Sequence, residues 1–91
     1  MTYDSEERLM LSRRLRRWAE RESVEIEYWV AAAVQARACR DDLRQHRRRT
    51  SVYFDKDAVD FHHERYLDAK HKTLYHKKEL ELVMCKLLEI G

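Results

Sequence analysis

Arginine offers the most chemistry in this sequence. Arg13, Arg14, Arg16 and Arg17 bracket Leu15 just ahead of Trp18, and Arg47, Arg48 and Arg49 follow His46. A guanidinium is a planar fork that grips phosphate or carboxylate through two parallel hydrogen bonds. Two such clusters at the ends of a helical hairpin would let it straddle RNA or DNA, or dock an acidic protein. The plainer expectation is a solvated face balanced by Glu6, Glu7, Glu20 and Glu22 at helical spacing, with Arg17–Glu20 and Asp41–Arg44 as ion pairs. A pI near 8.6 falls short of the strongly basic signature of a dedicated nucleic-acid binder. No helix-turn-helix signature is visible.

Metal and catalytic chemistry find less support. Asp60, Glu64, Asp68 and His71 share a helix face at steps of four, four and three. That face lies opposite the apolar stripe, whereas metal sites of helical bundles project inward. No Cys-x-x-Cys and no pair of histidines at i,i+4 occurs, so zinc-finger and zincin chemistry are not expected. Cys39 and Cys85 fall in helical stretches without a motif that would activate a thiol, and they read as reduced thiols. Ser5, Ser12, Ser23 and Ser51 lack a partner base. The expectation is a non-enzymatic chain with no cofactor, no metal and no small-molecule substrate.

The elements that position these residues follow from what the sequence lacks. It has no proline, and its one glycine is Gly91. Tight hairpins and glycine-rich phosphate loops need positive φ, which glycine and asparagine supply most cheaply. The fold expected is therefore all-α, one domain over residues 1–91. A helix over about 5–48 starts at Asp4, with Glu7 three residues on as a capping box. Its stripe runs Leu11, Leu15, Trp18, (Glu22), Ile26, Trp29, Ala33, Ala36, (Arg40), Leu43. The interruption near 21–24, where Ser23 offers a new cap, leaves a break there open. The segment 47–55, holding Tyr53 and Phe54 beside the second arginine cluster, is the turn expected. A second helix over about 56–90 carries Val59, His62, Tyr66, Ala69, Thr73, His76, Leu80, Val83, Leu87 and Ile90 in unbroken steps of three and four, a coiled-coil heptad stripe. Leu67, Leu74, Met84 and Leu88 widen it. His62 and His76, polar in such a stripe, read as a register device or a pH-sensitive point.

Residues 28–39 are apolar on nearly every side of their helix, and a helix apolar all round is buried all round. Two helices share one interface and cannot cover such a segment. The expectation is a homodimer of hairpins forming a four-helix bundle, with Trp18, Ile26, Trp29, Ala32, Ala33, Ala36, Leu80, Val83 and Leu87 at the interface. A second protein is the alternative cover. The acidic start of the chain has no apolar leader, and no stretch is long and apolar enough to cross a bilayer, which points to the cytoplasm and away from membranes. Together these features predict a small regulatory or adaptor protein, inhibitor- or chaperone-like and of bacterial or phage type, that works by binding another protein. The candidate contacts are Arg13, Arg14, Arg16, Arg17, Arg47, Arg48, Arg49, Tyr53 and Phe54. Nucleic-acid binding by a hairpin dimer through the same arginines is the alternative.

Overall fold

The computed structural model describes the backbone of residues 4–50 and 56–90, and the side chains of 4–45 and 56–90. It is an antiparallel hairpin of two helices, α1 (Ser5–Thr50) and α2 (Lys56–Ile90), with no strand among the described residues. The 46 residues of α1 rise about 69 Å at 1.5 Å each, which accounts for overall extents of 71 × 16 × 15 Å. Tyr53 and Phe54 lie outside the described residues, as do the side chains of Arg47, Arg48 and Arg49. The helical backbone continues through the arginine run to Thr50, so the segment left between the helices is shorter than the 47–55 expected.

Helix α1 begins as the sequence predicts. An Asp4 carboxylate oxygen accepts the Glu7 N–H at 2.7 Å, and the Asp4 carbonyl accepts the Arg8 N–H at 3.0 Å. This satisfies donors that a helix start would otherwise leave to water. The helix does not break at 21–24. Ser23 turns its hydroxyl back onto the Ala19 carbonyl at 2.9 Å instead of capping a new helix, and no residue there removes a backbone donor. From Trp18 to Trp29 the stripe takes eleven residues, through Glu22 and Ile26, an insertion that locally unwinds a left-handed supercoil.

Every position of both stripes is buried or half-buried. The fully buried apolar set is nevertheless small: Leu15, Ala36, Val59, Ala69 and Val83, joined by Thr73, whose hydroxyl is satisfied by the Ala69 carbonyl at 2.8 Å. Two of the five are alanines, which lets the backbones approach closely. The residues expected to widen the α2 stripe, Leu67, Leu74, Met84 and Leu88, are exposed, because a single neighbouring helix covers only the a and d positions.

The near-complete burial of Ala36 and Ala69, at 1% and 2% exposure, sets a steric limit. Ala36→Leu is expected to destabilise the hairpin by about 1–3 kcal/mol through overpacking, measured as a lower midpoint in urea unfolding. An unchanged midpoint would show that the helices are not close at this level.

Candidate functional site

Three groups of residues stand out by chemistry: a polar layer inside the seam, an apolar face outside it, and the arginines of the first third of α1.

The polar layer is built where α1 breaks its own apolar stripe. Glu22 meets His76 across the seam, with Glu22 Oε2 and His76 Nδ1 2.5 Å apart, so that the imidazole donates to the carboxylate. The other Glu22 oxygen accepts the Trp18 indole N–H at 3.2 Å. On the far side of the ring His76 Nε2 stands 3.7 Å from a Glu25 oxygen that accepts the Trp29 indole N–H at 3.1 Å. Lys72 lies over the Trp29 ring at 4.1 Å and Lys86 over Trp18 at 5.4 Å, both cation–π contacts. The two tryptophans thus face one half-buried His–carboxylate centre. The second interruption of the stripe is matched in the same way. Arg40 donates to His63 Nδ1 at 2.8 Å, stacks over Tyr66 at 5.1 Å and reaches Asp41 at 3.1 Å. A guanidinium has no acceptor, so this bond places the His63 proton on Nε2. No buried side-chain donor or acceptor lacks a partner among the described residues.

Chemically the layer is a clamp. Its carboxylates are held by indole N–H groups and by the imidazole, with Glu22 and His76 half-buried in the seam and Glu25 at its exposed edge. Among the described residues no cluster of His, Cys, Asp or Glu could hold a metal ion. Asp60, Glu64, Asp68 and His71 are exposed, and Asp68 is bonded to Lys72 at 3.1 Å. Cys39 and Cys85 are free thiols.

On the outer face of α1 several apolar residues are uncovered, with exposed Glu27 and Gln35 among them. Val24, Tyr28 and Val34 are 64%, 62% and 65% exposed, and Ala31 and Ala38 beside them are exposed as well. The residues expected at an oligomer interface are a different set. Trp18, Ile26, Trp29, Ala32, Ala33, Ala36, Leu80, Val83 and Leu87 all lie buried or half-buried along the seam between α1 and α2.

Arg13, Arg14, Arg16 and Arg17 are exposed, as are Arg8 and Arg21. None of the six is within ion-pair distance of an acid among the described residues. The expected Arg17–Glu20 and Asp41–Arg44 pairs do not form: Asp41 turns instead to Arg37 at 3.8 Å and to Arg40 at 3.1 Å. Asp41 is nearer the seam than the outer face, and Arg40 is held there by His63 and Tyr66.

In the sequence Glu22 and Arg40 stand as interruptions of the α1 stripe, and His62 and His76 as a register device or pH-sensitive point of the α2 stripe, with nothing to join the two sets. The signal that could have joined them is that interruptions on one helix must meet polar partners on the other. Cutting Glu22→Ala should cost about 1–3 kcal/mol by leaving the half-buried imidazole without its acceptor. The double replacement Glu22→Leu with His76→Leu should recover most of that loss, because an apolar pair of similar volume removes both polar groups. Urea midpoints of Glu22→Leu, His76→Leu and the double variant measure the coupling, and purely additive losses would contradict it.

No helix among the described residues is long and apolar enough to cross a membrane. Compared with known proteins, the chain matches no family model, no curated relative and no solved structure.

Proposed function

We propose that this chain is a small, non-enzymatic regulatory or adaptor protein whose activity is to bind other proteins, and that two hairpins pair into a four-helix homodimer. The observation that carries the reading is the uncovered face of α1, where Val24, Tyr28 and Val34 stand more than three-fifths exposed on a helix whose opposite side is already committed to α2. Exposed apolar residues scattered singly are ordinary, but several along one helix face support reading it as a contact surface. Ala31 and Ala38 on the same face would let a second helix approach closely. The titratable groups of the seam fit the non-enzymatic reading, since they are engaged with one another between packed helices.

A second reading, nucleic-acid binding by the same dimer, draws on the six arginines that have no acid partner among the described residues. Such binding would weaken by nearly one power of salt concentration for each phosphate neutralised, whereas an apolar protein interface would respond little.

Sedimentation equilibrium tests the pairing. The chain of 11.2 kDa should sediment at twice that mass, and Val24→Glu combined with Val34→Glu should yield a monomer that keeps its helical circular dichroism. A wild-type chain that is folded and monomeric at micromolar concentration would overturn the homodimer.

A further inference from the structure

At the open end of the hairpin, where the start of α1 meets the last turns of α2, an open groove runs along α1. Leu11, Leu15, Trp18 and Val24 line its floor, and Arg8, Arg14, Arg17, Arg21 and Lys86 stand around it. Lys86 is drawn over the Trp18 ring, while the four arginines make no ion pair with any acid among the described residues. Glu20, Glu25 and Glu89 also line the groove. Glu25 is engaged by Trp29 and stands beside His76. The groove therefore joins an apolar floor to four guanidinium forks whose donors no acid claims among the described residues.

We propose that this groove binds an acidic amphipathic helix of another protein, with the partner's apolar stripe on the half-buried Leu11 and Trp18 and its carboxylates on Arg14, Arg17 and Arg21. The proposal rests on the reading that the chain works by binding proteins, and it names the chemistry of the partner. Shape supports a helix. From Arg8 to Glu25 the groove follows α1 for about 26 Å, and Leu11 and Trp18 stand seven residues apart along it, a spacing at which a helix places anchors on one face. Charge selects an acidic helix, because forked donors that no internal acid claims are matched bidentately by carboxylates. The floor distinguishes this partner from a nucleic acid. A phosphate backbone has no aliphatic face to lay on leucine and tryptophan.

The probe is a synthetic peptide of about three heptads, leucine at a and d and glutamate elsewhere on its surface, end-labelled for fluorescence anisotropy against the full chain. A matched peptide with lysine in place of glutamate and a duplex oligonucleotide serve as comparators. The acidic peptide should bind in the micromolar range. Arg14→Glu with Arg17→Glu should weaken it about tenfold or more, while the same charge change at Arg13 and Arg16, outside this groove, should cost no more than about threefold. The proposal is overturned if the acidic peptide does not bind at ~100 μM, if the lysine peptide binds equally well, if both arginine pairs weaken binding alike, or if the oligonucleotide binds more tightly than the acidic peptide at physiological salt. Mass measured on the same samples separates the two claims. A dimer that ignores the peptide removes the groove alone, and a monomer that binds it removes the homodimer alone.

Discussion

Two helices have one seam. Every other property of this chain follows from that constraint, because α1 and α2 each spend one stripe on the other and have nothing left with which to cover their remaining faces. The result is a rod with only a handful of fully buried apolar residues, two of them alanines. A core this thin contributes little against the cost of ordering a long chain, roughly 1–2 kcal/mol per residue for the backbone alone. The absence of internal glycine and proline removes further turns that would have folded the apolar middle of α1 back under cover.

What the seam lacks in apolar bulk it replaces with matched polar layers. A stripe of leucines alone would tolerate slippage by a heptad, since each rung resembles the next. Glu22 with His76, and Arg40 with His63 and Tyr66, do not resemble their neighbours. Sliding α2 by one heptad would leave a half-buried carboxylate against Ala69 or Val83 and strand the imidazole. Buried polar pairs contribute little net stability, yet a single polar residue in such a seam can fix register. Trp18 and Trp29 stand eleven residues apart, and their indoles donate to Glu22 and Glu25 on either side of His76.

The amino-acid sequence made the helices, the Asp4 cap and both stripes legible, because three-and-four spacing over many turns admits one reading. It did not make the pairing of Glu22 with His76 legible. That pairing depends on the relative register of two helices, which the stripe of either helix alone does not state. The arginines were legible as chemistry but not as partners. Whether Arg17 turns to Glu20 depends on rotamers that spacing alone does not choose. The surplus of apolar residues in 28–39 was also readable. Its location was not, since Ile26, Trp29, Ala33 and Ala36 belong to the seam while Val24, Tyr28 and Val34 stand outside it.

On the proposed function, a hairpin with a committed inner face, an uncovered outer face and an arginine-rimmed open end would be completed by other chains. Completion by a second copy makes folding bimolecular, and a bimolecular fold has a stability that depends on concentration. Thermal unfolding followed by circular dichroism, with protein at concentrations from ~1 to ~100 μM, tests this most directly. The account predicts a midpoint that climbs steadily with concentration. A single sharp midpoint that stays constant across the series would contradict it and show that one seam suffices.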